Sequence, residues 1–194
     1  MPIHIDSLAV VSPKATIGDG VQVGPFAVIE DDVAIGEGTT IGAHAVIQSG
    51  SRIGRECRIH PMAAIGGLPQ DLKFRGEPTI LEIGDKTVVR EFVTLNRATA
   101  ETGRTIIGSN CLFMAYSHVG HDCVVGDNVI LANCCGLGGH VHLGNWVILG
   151  ALTPVHQFCH IGDHAMIGGG FRVVKDVPPY ILAGSEPLIF AGLN

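Results

Sequence analysis

Residues 33–47 read VAIGEGTTIGAHAVI, and within this stretch Ile35, Ile41 and Ile47 recur at intervals of six. The same interval links apolar residues from Val11 to Val173, and many of them are followed directly by glycine. Isoleucine and valine favour strands, and glycine suits a bend in which the backbone must turn. Short strands with a bend every six residues predict a parallel β-helix. With three strands in a coil, residues 18 apart stack on one another.

Two interruptions leave this repeat in register. The repeat passes from Ile65 to Ile83 and from Leu95 to Ile107, and both steps are multiples of six. The inserted segments are therefore predicted to be loops that leave the prism and return to it. The predicted fold is all-β, a parallel β-helix of hexapeptide repeats with about nine to ten coils and two inserted loops.

The composition favours a single domain with few charges. The chain has 194 residues, a net charge of −6 and 15% charged residues, whereas a general nucleic-acid binder needs a basic surface. The first residues carry no basic segment of a signal peptide, and no apolar run reaches membrane-spanning length. We therefore predict a cytoplasmic protein with no transmembrane segment and no nucleic-acid partner.

Five of the six cysteines fall two residues before a repeat position, where small side chains face the narrow interior. This placement predicts free, buried thiols that pack as small apolar groups rather than disulfides or metal ligands. These five are Cys57, Cys111, Cys123, Cys135 and Cys159, and Cys134 is the exception.

The first inserted loop, residues 67–79, is the first candidate for a functional segment. It holds Asp71, Lys73, Arg75 and Glu77, and loops on a rigid scaffold often carry functional residues. The alternative is a solvated surface excursion without a role. The second loop spans roughly residues 97–104.

Histidines are concentrated in the second half of the chain, and the repeat brings some of them together. In coils of 18 residues, His121 shares a column with Gly139 and Gln157, and Asp122 shares the next column with His140. Successive coils lie about 4.8 Å apart. The spacing predicts that His121 and His140 are neighbours on one edge of the prism, with His118 at the preceding bend. The alternatives are isolated surface histidines or a metal site, and no standard zinc spacing is present, so no metal is predicted.

Five motifs follow one another on this repeat: QDLKFRGEPT (70–79), SHVGHDC (117–123), LGGHV (137–141), VHQFC (155–159) and DVPPY (176–180). Together they resemble the family of acyl-[acyl-carrier-protein]–UDP-N-acetylglucosamine O-acyltransferases, which catalyse the first step of lipid A biosynthesis. The resemblance covers essentially the whole chain. It implies a left-handed β-helix and a homotrimer with active sites between subunits. It also implies transfer of a 3-hydroxyacyl chain from the phosphopantetheine thioester of acyl carrier protein to the 3-hydroxyl of UDP-N-acetylglucosamine, without a bound cofactor.

The resemblance also implies roles for individual residues. His121 would be the general base for the sugar hydroxyl, since imidazole suits proton transfer near neutral pH. Asp122 would orient this base, and the backbone N–H of Gly139 would face the developing oxyanion. Gly169 would end the acyl groove and leave room for a chain of about fourteen carbons or more. The positions that would hold substrate are Asp71, Lys73, His118, His140, His156, Gln157 and Asn194.

The resemblance divides the chain into a catalytic β-helix, residues 1–177, and the start of a truncated C-terminal extension, residues 178–194. The helical C-terminal domain of the family is expected to be absent.

Three alternative functions stay open. A sister enzyme, the UDP-3-O-acylglucosamine N-acyltransferase, would acylate a 2-amino group, although the repeat begins too early for its usual N-terminal domain. A β-helix carbonic anhydrase would hold zinc through histidines, and a non-catalytic repeat scaffold would need no catalytic histidine.

Overall fold

The computed structural model describes residues 2–185 and 187–194. Within these residues the chain forms strands and turns, arranged as three sheets that are the faces of a triangular prism. No helix in this part of the chain is long and apolar enough to span a membrane.

Each coil of the prism contributes one short strand to each sheet, in the order A, B, C. Sheet A contains β1 (His4–Ile5), β4 (Gln22–Val23), β7 (Thr40–Ile41), β10 (Arg58–Ile59), β13 (Val88–Val89), β16 (Leu112–Phe113), β19 (Ile130–Leu131), β22 (Ile148–Leu149), β25 (Met166–Ile167), β26 (Ile181–Gly184) and β27 (Ile189–Leu193). Sheet B contains β2 (Val10–Val11), β5 (Val28–Ile29), β8 (Val46–Ile47), β11 (Ala64–Gly67), β14 (Thr94–Asn96), β17 (His118–Val119), β20 (Gly136–Leu137) and β23 (Pro154–Val155). Sheet C contains β3 (Thr16–Ile17), β6 (Ala34–Ile35), β9 (Ser51–Ile53), β12 (Ile80–Ile83), β15 (Arg104–Ile107), β18 (Val124–Val125), β21 (His142–Leu143) and β24 (His160–Ile161).

The pairing register confirms the predicted 18-residue coil. His118 pairs with Gly136 in sheet B, 18 residues further along the chain. Across the first inserted loop Ile83 pairs with Ile53, and across the second Ile107 pairs with Ile83. Both loops therefore leave the stack of repeat residues unbroken, as the sequence predicted.

The two ends of the prism agree with the predicted number of coils. Val173 and Val177 form isolated parallel bridges with Val155 and Ile161, which completes a ninth coil counted from β1. Strand β26 then pairs with β25 in sheet A, and β27 returns antiparallel to β26. The division of the chain at residue 177 stays a prediction.

Repeat residues and the small residues two positions before them fill the interior of the prism. Ile47 and Ala45, for example, are both fully buried. The cysteine prediction is confirmed: five of the six free thiols are buried and Cys134 is exposed. Burial raises the pKa of the Cys111 thiol to about 11 and that of the Cys123 thiol to about 12.

The edge between sheets B and C, which we call the site edge, is formed by turns 120–122, 138–140 and 156–158 of three successive coils. Its corner residues Asp122 and His140 have positive φ values of 61° and 60°, a region that Asp and His enter more readily than most residues. Both inserted loops, residues 68–79 and 97–103, leave the prism from this same edge in the two preceding coils. The fold thus collects both loops and the predicted catalytic residues in one place.

Candidate active site

His121 and Asp122 form a hydrogen-bonded pair on the site edge. The Nδ1 atom of His121 lies 2.7 Å from Oδ2 of Asp122. The Asp122 side chain is fully buried, and the His121 ring keeps 14% of its surface exposed. Because a carboxylate offers no proton, Nδ1 of His121 is the donor, and Nε2 is left with its lone pair available.

The Asp122 carboxylate accepts further hydrogen bonds from loop two. The Thr99 hydroxyl donates to Oδ2 at 2.8 Å, and the Thr99 backbone N–H lies 3.2 Å from both oxygens. The Thr102 hydroxyl donates to Oδ1. Burial by itself would raise the pKa of Asp122, but the hydrogen bonds from Thr102, His121 and Thr99 outweigh it and lower the pKa below the ordinary value. Asp122 is therefore ionised at neutral pH.

Gly139 lies directly against His121, the predicted general base. A Cβ atom at Gly139 would lie 2.5 Å from Cε1 and 2.6 Å from Nε2 of His121, so any other residue here would displace the ring. Within the described residues, no protein acceptor takes the Gly139 N–H. The same turn position is proline at Pro13 and Pro25, which shows that the fold does not require this N–H.

His140 lies behind the pair, on the side of loop two. Its ring meets the His121 ring edge-on, with centroids 5.3 Å apart, and stacks on Phe158 at 4.6 Å. Its Nε2 atom lies 3.6 Å from Oδ2 of Asp122 and 3.6 Å from a carboxylate oxygen of Glu101. The sequence prediction that His121 and His140 are neighbours is confirmed.

His118 occupies a different position from the predicted one. It lies in strand β17 on the outer face of sheet B rather than at a bend, because it directly precedes the inward repeat residue Val119. Its Nδ1 atom is 2.7 Å from the Thr94 hydroxyl. Burial, followed by the neighbouring His121, lowers the pKa of His118, so His118 is a neutral hydrogen-bonding group rather than a cation.

A cleft of about 400 Å³ opens beside His121. It is lined by turn residues of the site edge, residues of sheet B and one residue of loop one: Gln70, Asn96, His118, Gly120, His121, Gly136, Leu137, Gly138, Gly139, Pro154, Val155 and Gln157. Four of the residues predicted from the sequence, His118, His121, Gly139 and Gln157, therefore share one cleft.

Loop one reaches the cleft through Gln70 rather than through the two residues predicted to hold substrate. The Asp71 carboxylate accepts the backbone N–H of Lys73 at 2.8 Å, and the Lys73 side chain is exposed. His156 is also exposed, and its Nδ1 atom lies 3.1 Å from the Gln157 carbonyl oxygen. None of these three side chains lines the cleft.

Two further predicted residues lie on the other edges of the prism. Gly169 follows β25, at the edge between sheets A and B. The Asn194 side chain donates to the His164 carbonyl at 2.7 Å, at the edge between sheets C and A. A single chain does not bring either residue to the cleft.

Sequence reasoning missed Gln70, Asn96, Thr99, Thr102 and Phe158. The position of Phe158 could have been predicted, because Phe158 lies 18 residues after His140 in the same column. The two threonines lie in loop two, where the 18-residue spacing is interrupted and sequence distance carries no information about position.

The site also brings together three side chains that a metal ion could bind. One ligand atom from each of His121, Asp122 and His140 lies within 4.8 Å of the others. The sequence predicted no metal, and that prediction can be tested by metal analysis of the purified protein.

Comparison with known proteins identifies the class first. The family model for bacterial transferase hexapeptide (six repeats) matches residues 14–49, 32–67 and 104–139. The prism consists of repeats of this kind, so the chain is similar to the hexapeptide-repeat transferases as a class.

Individual relatives with high sequence identity identify the family. The chain is 51% identical over 192 residues to an acyl-[acyl-carrier-protein]–UDP-N-acetylglucosamine O-acyltransferase of Aliarcobacter butzleri, covering 98% of this chain and 74% of that one. LpxA from Acinetobacter baumannii superposes with a TM-score of 0.96 at 43% identity, covering 98% and 74% of the two chains. A UDP-N-acetylglucosamine acyltransferase from Bacteroides fragilis gives a TM-score of 0.96 at 46% identity, covering 97% and 74%. The chain belongs to the acyl-[acyl-carrier-protein]–UDP-N-acetylglucosamine O-acyltransferase family and has its left-handed parallel β-helix.

Proposed function

We propose that this chain transfers a 3-hydroxyacyl group from acyl carrier protein to the 3-hydroxyl of UDP-N-acetylglucosamine, the first step of lipid A biosynthesis. Family membership supports the reaction class. The observation that carries the assignment of the site is the His121–Asp122 pair, with His121 lining a cleft beside the N–H of Gly139. No acceptor among the described residues takes this N–H.

In the first step, His121 acts as general base. The sugar 3-hydroxyl oxygen attacks the thioester carbonyl carbon while its proton passes to Nε2 of His121. Ionised Asp122 accepts the Nδ1–H, which keeps Nε2 free and stabilises the positive imidazolium that forms. The lowered pKa of Asp122 keeps this carboxylate charged at neutral pH.

The carbonyl oxygen becomes negative as the new C–O bond forms. The Gly139 N–H is placed to donate to it, and one such donor contributes roughly 2.7–4 kcal/mol to catalysis. The tetrahedral intermediate then collapses, the C–S bond breaks, and the phosphopantetheine thiolate takes its proton from imidazolium His121. The products are the 3-O-acylated sugar nucleotide and free carrier protein, and His121 is neutral again.

The remaining predicted residues are proposed to bind substrate. His118 and Gln157 line the cleft, and neutral His118 suits a hydrogen bond to the sugar. As the family resemblance implies, Asp71 would contact the sugar and exposed Lys73 the diphosphate or the donor. His140 and His156 would also hold substrate.

A homotrimer is proposed because single-chain geometry leaves the site incomplete. Asn194 and Gly169 lie on edges that do not face the cleft. They can contribute to the same active site only if neighbouring copies bring them to it. A cytoplasmic location likewise stays a prediction.

The test is an acyl-transfer assay with UDP-N-acetylglucosamine and a panel of 3-hydroxyacyl carrier proteins. The wild type should transfer the acyl group, and His121→Ala should lower kcat about 100-fold or more. His44→Ala is the matched control, since His44 lies on another edge and outside the cleft. Wild-type turnover by His121→Ala would remove the proposed base.

The same assay separates the rival functions. A UDP-3-O-acylglucosamine acceptor tests for the N-acyltransferase, which the names of the relatives do not favour. Stoichiometric zinc in the purified protein, together with loss of activity on its removal, would instead support a metalloenzyme.

The donor panel also tests Gly169 as the limit of the acyl groove. Gly169→Met should shift preference from chains of about fourteen carbons to shorter ones, because the new side chain fills the end of the groove. An unchanged chain-length profile would contradict this assignment.

A further inference from the structure

Loop two, residues 97–103, carries two threonines whose hydroxyls converge on the buried carboxylate of Asp122. Thr99 donates to Oδ2 at 2.8 Å, and Thr102 donates to Oδ1. The β-helix does not require this loop, because Ile107 pairs with Ile83 in register across it.

Resting on the proposed function, we propose that Thr99 and Thr102 are positioning residues for acyl transfer. They fix the Asp122 carboxylate in the orientation in which Oδ2 accepts the Nδ1–H of His121. Neither threonine lines the cleft, so neither contacts substrate there, and both act through Asp122.

A competing partner explains why the carboxylate needs to be held. Nε2 of His140 lies 3.6 Å from the same Oδ2 atom that His121 contacts at 2.7 Å. A small rotation of the carboxyl group would exchange one imidazole for the other. Hydroxyl donors on both oxygens oppose this rotation, and hydrogen bonds to an ionised group are stronger than neutral ones.

Loop two is itself held in the conformation that presents these hydroxyls. The Thr99 oxygen accepts the backbone N–H of Glu101 at 3.2 Å. The backbone N–H of Arg97 donates to the Gly67 carbonyl at 2.9 Å, next to the start of loop one. The Thr102 oxygen also lies 3.1 Å from the Arg104 carbonyl, but its single proton goes to the charged carboxylate, the better acceptor.

The experiment compares Thr99→Val, Thr102→Val and the double variant with Thr99→Ser and Thr102→Ser. Each valine keeps the side-chain shape and removes one charge-assisted hydrogen bond, so kcat should fall about 10-fold for Thr102→Val with little change in KM. The double variant should lose about 100-fold, and serine should restore most of the loss. Thr16→Val, on exposed strand β3, is the matched control and should have wild-type kcat.

The second readout is the tautomer of His121, measured from the ¹⁵N shifts of its ring in histidine-labelled protein. The wild type should carry the proton on Nδ1, and the double variant should show a population protonated on Nε2. A merely structural role of the threonines would lower the melting temperature without changing the tautomer in the folded protein.

The outcomes separate the two proposals. Wild-type kcat in the double valine variant, or lost kcat with an unchanged His121 tautomer, overturns the positioning role. If this happens while His121→Ala is inactive, the proposed function stands. Full turnover by His121→Ala overturns the proposed function itself. If the double variant is unstable, Thr102→Val and its serine counterpart decide by the same two readouts.

Discussion

Two edges of this prism have the same backbone conformation at their corners but carry different kinds of side chain. At the edge between sheets A and B, which we call the aromatic edge, Phe26, His44, Met62, Phe92 and Tyr116 occupy the left-handed corner position, with φ between 59° and 64°. On the site edge, Asp122, His140 and Phe158 occupy the equivalent corners with φ between 60° and 66°.

Four of the rings on the aromatic edge stack in pairs. Phe26 stacks on His44 and Phe92 stacks on Tyr116, each pair with ring centroids 4.9 Å apart. On the site edge, His140 and Phe158 stack in the same way, but the column ends on the buried carboxylate of Asp122. The corner conformation therefore sets the spacing of the side chains on both edges. The site edge differs by the ionised carboxylate of Asp122 and by the two loops beside it.

The largest expected effect comes from Gly139, because it is the glycine that the His121 ring touches. In Gly139→Ala the new Cβ would overlap the ring and tilt Nε2 away from the substrate, so kcat should fall at least about 100-fold. Steady-state kinetics measure this. Gly192→Ala is the control, since nothing lies within 4 Å of a Cβ at that position. Near-wild-type kcat in Gly139→Ala would contradict the described packing of the base.

His140 and His44 give a direct comparison of the two edges, since both are histidines at a left-handed corner. His140→Ala should lower kcat/KM about 10-fold, because it removes the imidazole that packs against His121 and that is proposed to bind substrate. His44→Ala should leave kcat/KM unchanged. Equal losses of kcat/KM in the two variants would contradict the assignment of the active site to the site edge.

Phe92 and Phe158 allow the two edges to be compared by their effects on both the free energy of unfolding and kcat. Phe92→Ala should lower the free energy of unfolding by about 1 kcal/mol through loss of the stack with Tyr116, without changing kcat. Phe158→Ala should lower stability by a similar amount and also reduce kcat, since His140 loses its support. Denaturant unfolding and kinetics on the same samples provide both values. Reduced activity in Phe92→Ala would contradict a purely structural aromatic edge.

The smallest effect is expected at Cys134, which is the exposed thiol of the aromatic edge. A thiol reagent at pH 8 should modify one cysteine per native chain, because burial shields the others and raises the pKa of Cys111 to about 11. Cys134→Ser should abolish labelling. Rapid reaction of a second thiol would show that the interior is more open than described.

Much of this site could be predicted from the sequence because the repeat converts sequence distance into spatial distance. His121, Gly139 and Gln157 were placed in one column by 18-residue spacing, and the structure brings them to one cleft. The same rule places His118 correctly once its position next to the inward Val119 is considered, since the residue before a repeat position faces outward from a strand.

The rule fails where the chain leaves the prism. The residue that loop one places in the cleft is Gln70 rather than Asp71 or Lys73, and no spacing argument distinguishes them. For the same reason, spacing does not predict that Thr99 and Thr102 contact Asp122. Loop conformation depends on local hydrogen bonds such as that between Asn96 and the Leu68 carbonyl, which periodicity does not encode.

A crystal structure of the protein with bound UDP-N-acetylglucosamine tests the central claim most directly. We expect the 3-hydroxyl oxygen of the sugar within about 2.6–3.2 Å of Nε2 of His121, with Nδ1 still bonded to Asp122. A sugar bound in the cleft with its 3-hydroxyl beyond hydrogen-bonding reach of His121, and with another side chain in contact with that hydroxyl, would contradict the assignment of the base.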